Sequence, residues 1–391
     1  MADVIHSRTA IFGQVYRWHE TLGQMCPTTG RVVTVSKAPD AASMSVLHFW
    51  YFPVRATQTP RVTEYMYGQN YSFFADEQTT KDLYDRRFDM IFGLTHLGRF
   101  IPWTIPIILI LLRSQISHLL GSHESTTSML GFKGFADKML NKLIDEHGIQ
   151  DQQSEKEYKI AAHQYIHSSL PKSDKTGDAL TQATMAAWSG GWDTTASSLT
   201  QCSYYLLKHP HVLAKLRQEL LTAWPDSTED LTYNMLISLP YLDAVSKESL
   251  RLMHGGLSRL TRINPLATEQ YRNWTIPAGS KISMSIPDVN LDKIVWGNDS
   301  ETFRPERWEG RLELDNWLMT FSRGTRVCAG QELAWMELKM IIGTLFRQFD
   351  MKVDQKSNIT DADILPYSDG FTPGAKNYMQ KLPVIAQATQ T

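Results

Sequence analysis

The sequence predicts a mainly α fold with a small β region, built as a single domain over residues 1–391, and three observations carry that expectation. A helical pattern runs almost unbroken from Asp178 to about Lys208 and stops before Pro210, where a missing N–H and a ring clash end a helix. Two further stretches, HVLAKLRQELLTAW after Pro210 and QELAWMELKMIIGTLF from Gln331 to Phe346, place apolar residues at helical spacing. Strand-like alternation is confined to Arg262–Met284 and to two short stretches flanking the Gly/Pro loop SDGFTPG near the C-terminus.

The totals permit this. A 42% hydrophobic content is ample for a sizeable core, and a net charge of -2 excludes nucleic acid or an anionic membrane as a whole-surface partner. Cys26, Cys202 and Cys328 are too few and too scattered for a disulfide framework, which favours a reducing compartment. No signal peptide or membrane-spanning run is visible. The longest apolar run, residues 101–112 (IPWTIPIILILL), either makes a peripheral membrane contact or forms a buried wall.

Taken in order, residues 1–60 are poorly assigned, with a helix-like stretch over Ile11–Met25 and no clean period from Pro39 to Pro60. Helices are expected over Thr79–His96 and Gly134–Glu146, with a polar connection at Asp151–Lys159. The long helix from Asp178 would span about 45 Å. Near its middle, Ser189–Thr195 (SGGWDTT) conflicts with helix propensity: two adjacent glycines together cost about 2 kcal/mol relative to alanine. Such a conflict is what a functional site produces. Glycine would thin the helix for something flat, and Thr194 could bend the backbone by bonding a carbonyl one turn back. A helix over Pro240–Met253 follows, in which Glu248 and Arg251 share a face; that spacing alone fits an ordinary solvated pair. In ETFRPERWEG, residues Arg304–Trp308 are expected in a loop.

Cys328 lies in FSRGTRVCAG, Phe321–Gly330, directly before the helix at Gln331, where the helix dipole favours a negative charge. Phe321 would supply an apolar wall, and Gly324 and Gly330 would let backbone N–H groups approach the sulfur. With no second Cys or His at metal-ligand spacing a zinc site is excluded, leaving a nucleophile, a buried structural thiol or the axial ligand of a haem.

Together and in this order, these motifs resemble the cytochrome P450 family of haem-thiolate monooxygenases. The resemblance rests on GGWDTT, on Glu248-x-x-Arg251, on PERW at Pro305, and on FSRGTRVCAG, which matches Phe-x-x-Gly-x-Arg-x-Cys-x-Gly. It extends from about Thr63 to the C-terminus and is most similar to filamentous-fungal, trichodiene-oxygenase-like members that oxidise secondary metabolites.

The resemblance implies haem b with Cys328 as the metal ligand, Asp193 and Thr194 as the proton-delivering catalytic pair, and Gly190 and Gly191 leaving room for oxygen beside the haem. It implies a buried network of Glu248, Arg251 and Arg307 that fixes the cysteine loop. Arg326 and Arg262 would bind the propionates, with Arg259 a rival for the latter. The substrate pocket would draw on Ala186, Ser189, Leu257, Ser258, Phe371 and Thr372. Expected partners are an NADPH-cytochrome P450 reductase, O2 and a lipophilic small molecule of terpenoid or polyketide type. Lys247, Arg323 and Arg326 would give the cysteine side a positive surface for the reductase.

The family works at the cytoplasmic face of the endoplasmic reticulum; with no anchor visible here, that face or the cytoplasm is expected. An early Trp-x-x-x-Arg or His-x-x-x-Arg helix is also not found, so the expected fold lacks part of its N-terminal region. Two rival readings stand beside the enzyme: a truncated, catalytically silent haem-binding relic, and a reductase-independent peroxide rearrangement, which would not need the Asp193 and Thr194 pair.

Overall fold

The computed structural model describes residues 45–48, 101, 103, 134, 136–142, 168–171 and 175, and residues 177–389 apart from 227–228, 230, 258, 371 and 377–381. The helices expected over Ile11–Met25 and Thr79–His96, the connection at Asp151–Lys159 and nearly all of the 101–112 run lie outside the described residues. Residues 136–142 are helical, within the helix expected over Gly134–Glu146.

The long helix, α1, spans Gly177–Lys208. Helix α2 (Pro210–Ala223) begins with proline at its first position, where no N–H is needed. Helix α3 (Tyr233–Ile237), which the sequence pattern did not suggest, lies beneath helix α7 (Gln331–Gln348). That approach depends on Gly343, where a Cβ would fall 2.9 Å from the Leu236 side chain. Helix α4 (Pro240–Met253) matches its expected bounds. Its first turn is capped from outside: Glu219 of α2 accepts the backbone N–H groups of Tyr241 and Leu242, both at 2.8 Å, placing a carboxylate against the positive end of the helix.

Helices α1, α2, α4 and α7 pack around one apolar core that includes Leu199, Leu206, Leu216, Leu242, Val245, Leu338, Ile342 and Phe346. An ion pair, Lys339 to Asp243 at 2.7 Å, ties α7 to α4 within this bundle.

The β content is small, as expected. Strand β1 (Ser45–His48) pairs antiparallel with β9 (Pro383–Ala388), which in turn pairs with β6 (Phe349–Val353); Ala386 stands opposite both Ser45 and Met351. The Arg262–Met284 region forms two separate two-stranded sheets, β2 (Arg262–Ile263) with β5 (Lys281–Ile282) and β3 (Glu269–Tyr271) with β4 (Trp274–Ile276). Short helices α5 (Ile286–Asn290) and α6 (Lys293–Trp296) follow.

Two local expectations are corrected. Pro305–Trp308 is a turn of 3-10 helix rather than a loop, because the fixed φ of Pro305 starts it and Arg307 and Trp308 are pulled inward. SDGFTPG is not a loop between strands: Pro366–Gly370 (β7) and Thr372–Ala375 (β8) pair with each other across it, with an irregularity between Pro366 and Ser368. Gly370, Pro373 and Gly374, which composition alone assigns to a loop, stand in register opposite Thr372, Asp369 and Ser368.

Candidate functional site: a cysteine loop held by a buried ion network

Glu248 is wholly buried, and its carboxylate is saturated with donors. Oε1 accepts from Arg251 Nη2 (2.8 Å), Arg307 Nε (2.8 Å) and the backbone N–H of Arg304 (3.0 Å). Oε2 accepts from Arg251 Nε (2.9 Å) and from the indole of Trp308 (3.0 Å). Arg251 is 0% and Arg307 4% exposed, so the pair predicted from spacing is not a solvated surface pair. Both guanidinium groups spend most of their remaining donors on carbonyls, and Arg307 Nη2 also reaches the Asp299 carboxylate at 3.5 Å. Arg251 Nη1 donates to Asn290 O (2.8 Å) and Ser300 O (2.5 Å), and Arg307 to Trp296 O (2.8 Å), Asp299 O (3.0 Å) and Thr302 O (3.1 Å). A buried charge is tolerated only when its partners are this complete.

The network reaches the cysteine loop through Asn290, a residue that no sequence motif singles out. Its amide donates to Arg251 O (3.1 Å) and to Thr320 Oγ1 (3.2 Å), and its side-chain oxygen accepts the backbone N–H of Met319 (3.0 Å). Thr320 Oγ1 also donates to Leu250 O at 2.8 Å. The C-terminal turn of α4 closes against the same spot. His254 and Gly255 both have positive φ, 68° and 72°, and a Cβ on Gly255 would lie 2.6 Å from Thr320 O, so only glycine fits there.

The loop itself folds back on Phe321. Cys328 N–H donates to Phe321 O at 2.9 Å, Val327 N–H to Gly324 O at 3.0 Å, and Gln331 N–H to Cys328 O at 3.3 Å. Gly324 has a φ of 76°, which makes the tight turn. Phe321 tilts against Trp335 with ring centroids 5.7 Å apart, forming an apolar flank. Cys328 is exposed, which removes the buried-thiol reading, and a Cβ on Gly330 would sit 4.0 Å from its sulfur. Cys202, by contrast, is buried; desolvation pushes its thiol up to about 12 despite a bond to Ser249, so it is no rival ligand. Cys26 lies outside the described residues.

Residues 190–195 remain helical within α1, and Thr194 Oγ1 donates to Gly190 O, one turn back, at 2.7 Å, the bond expected from the sequence. A Cβ on Gly190 would meet nothing within 4 Å among the described residues, and Gly191 is half-buried beside it. Asp193 and Ser189 are helical, with side chains outside the description, while Ala186 is exposed on the same helix. Leu257 is half-buried after α4, Thr372 starts β8, and Ser258 and Phe371 are not among the described residues.

Of the candidate cations, Arg262 reaches the cysteine loop, its Nη2 donating to Ser322 Oγ at 3.4 Å, and Arg259 and Arg326 are exposed. Lys247 is corrected. It bonds Asp243 (2.9 Å) and Asp315 (2.7 Å) and is mostly buried, so it offers no free positive charge to a partner. Desolvation works against its charge, but those two carboxylates outweigh it and hold its pKa above the usual range. Arg323 is exposed and donates to Asp315 O.

His254 is the other residue the sequence did not flag. It is 7% exposed, and its Nδ1 has no hydrogen-bond partner among the described residues. Burial first, and then the charge of Arg251, pulls its pKa from 6.5 to about 4, against the opposing effect of a bond to the Arg251 backbone.

The donor set fits a haem: an exposed cysteine sulfur on a glycine-turned loop, an apolar flank, an arginine leaning on the same loop, and open space at Gly190 on α1. Among the described residues no group of three His, Cys, Asp or Glu side chains could hold a bare metal ion, and no helix is long and apolar enough to cross a membrane.

The family model described as Cytochrome P450 matches residues 109–382. Cytochrome P450 monooxygenase MO6277 of Ascocoryne sarcoides is 38% identical over 215 residues, covering 54% of this chain and 41% of that protein. Cytochrome P450 monooxygenase tpcC of Cochliobolus heterostrophus is 34% identical over 243 residues (58% and 46%), and orf3 of Eupenicillium brefeldianum 27% identical over 367 residues (92% and 67%). The chain thus spans about half the length of the curated relatives it matches. With the matched region extending over most of the chain, the protein belongs to the cytochrome P450 family.

Proposed function

We propose that this protein is a haem-dependent monooxygenase of secondary metabolism, acting as one domain on a lipophilic terpenoid or polyketide substrate. The observation that carries the reading is Cys328: an exposed sulfur on a loop tied through Asn290 to a fully buried, fully paired Glu248. Haem b bound there would supply activation of O2, so that R–H, O2, NADPH and a proton give R–OH, water and NADP+.

The residues divide the remaining work. Cys328 is the residue that would hold the iron, as a thiolate whose electron donation would favour O–O cleavage. Thr194, whose hydroxyl hydrogen is given to Gly190 O, keeps its oxygen lone pairs free to accept from water, and Asp193 next to it is the acid that supplies protons. Gly190 keeps the helix thin at that point. Arg262 and Arg326 pair with the propionates, for which a guanidinium fork is suited. Ala186, Ser189, Leu257, Ser258, Phe371 and Thr372 line the substrate side. Electrons come from an NADPH-dependent reductase at the cytoplasmic face of the endoplasmic reticulum, with residues 101–112 touching the membrane surface.

The test is the carbon-monoxide difference spectrum of the reduced, purified chain. A Soret band at the position characteristic of thiolate-ligated haem, abolished by Cys328→Ser, is the expected result. Absence of any haem signal would contradict the assignment and favour a catalytically silent chain.

A further inference from the structure

Several serines and threonines in this protein bond back to the carbonyl four residues earlier, among them Thr184, Thr200, Ser246 and Thr344. One such bond differs from these in where it ends. Ser198 Oγ donates to the carbonyl of Thr194 at 2.7 Å, directly above the Thr194 hydroxyl bond to Gly190 O. Gly190, Thr194 and Ser198 therefore form a ladder along one face of α1. The carbonyl of Ser198 is itself met from the neighbouring helix, by Ser249 Oγ at 3.4 Å, and both serines are buried. Ser249 follows Glu248 in α4 and also bonds the thiol of Cys202, so its side chain meets two residues of α1.

We propose that Ser198 is a positioning residue for Thr194, part of a strut that runs from the buried ion network through Ser249 to the helix segment facing the haem side. This role rests on the monooxygenase reading given above. The Thr194 carbonyl is shared between the Ser198 N–H and hydroxyl, a back-bond of the kind that bends a helix locally and sets the direction of the turn before it. That turn carries both Thr194 and the Gly190 carbonyl that fixes its rotamer. The 3.4 Å contact from Ser249 is the weaker joint, so Ser249 contributes the smaller share.

Two measurements on the full-length, haem-loaded chain test this. The first is amide hydrogen exchange of peptides covering residues 190–198. Ser198→Ala is expected to speed their exchange about fivefold, equivalent to one lost hydrogen bond, and Ser249→Ala about twofold. The second is the share of NADPH electrons recovered as hydrogen peroxide rather than water, with added cytochrome P450 reductase and no added substrate. Thr194→Ala and Ser198→Ala should both raise that share, and Ser198→Thr, which restores the hydroxyl, should return it to the wild-type value. If Ser198→Ala speeds exchange yet leaves the peroxide share unchanged, the bond is merely structural and the proposal is overturned. If both readouts match wild type, it is overturned outright. If Thr194→Ala leaves the share unchanged, the proton-delivery reading fails first, and with nothing to position the strut fails with it.

Discussion

Glu248 and Thr194 sit on adjacent helices and are treated in opposite ways. The Glu248 carboxylate is wholly buried and accepts five hydrogen bonds from Arg251, Arg304, Arg307 and Trp308. Thr194 is half-buried and spends its single hydrogen on Gly190 O, beside a glycine with open space in front of it. The first arrangement leaves nothing to react and gives one fixed geometry; the second leaves oxygen lone pairs and room. A saturated charge on one helix makes a frame for the cysteine loop, and an unsaturated hydroxyl on the other is kept available for chemistry.

The sharpest way to break that contrast is to leave the frame with an unpaired charge. Glu248→Gln removes the negative partner of two buried guanidinium groups, and the expected loss is about 3–5 kcal/mol, seen as a large drop in melting temperature. Thermal unfolding of the purified variant measures it; a melting temperature close to that of wild type would mean the network is not what stabilises this side.

Acid attacks the same frame through His254. Its pKa in the folded protein, about 4, lies below the unfolded value of 6.5, so the unfolded chain binds the extra proton first. The stabilisation is therefore complete above pH 6.5 and is lost as pH falls from 6.5 towards 4, by about 3 kcal/mol in total. His254→Asn, which tolerates the left-handed backbone found there, should flatten that acid limb in urea unfolding at pH 7.5 and pH 4.5. An unchanged slope would remove His254 from the account.

Much of this was legible in the sequence, and the boundary has a physical cause. Helices α1, α4 and α7 follow from apolar period and proline stops, and the Thr194 back-bond follows from a hydroxyl in a glycine-weakened helix. From spacing Glu248 and Arg251 were legible only as a pair, since i,i+3 spacing is the same on a wet face, and it was the family resemblance that implied their burial. Asn290, the Trp308 indole and Thr320 were not legible at all, because their partners lie roughly thirty to seventy residues away and local pattern carries no record of them. Lys247 misled for the same reason: its neutralising partner Asp315 comes from a distant turn. SDGFTPG misled because its composition signals a loop, while pairing across Phe371 makes strands of it.

The smallest expected effect on stability belongs to the residue that joins the frame to the ligand. Asn290→Ala removes the amide that links Arg251 O to Thr320 and Met319, at a cost of about 1–3 kcal/mol, and it leaves the Glu248 charges paired. The decisive measurement is the rate at which the reduced, carbon-monoxide-bound Asn290→Ala protein loses its thiolate-type Soret band at a temperature where circular dichroism shows it still folded. If the buried network holds Cys328 in place, the band decays at least about fivefold faster than in wild type, the equivalent of one hydrogen bond released from the loop. Decay at the wild-type rate would contradict that link and leave Glu248 and Cys328 as neighbours without a mechanical connection.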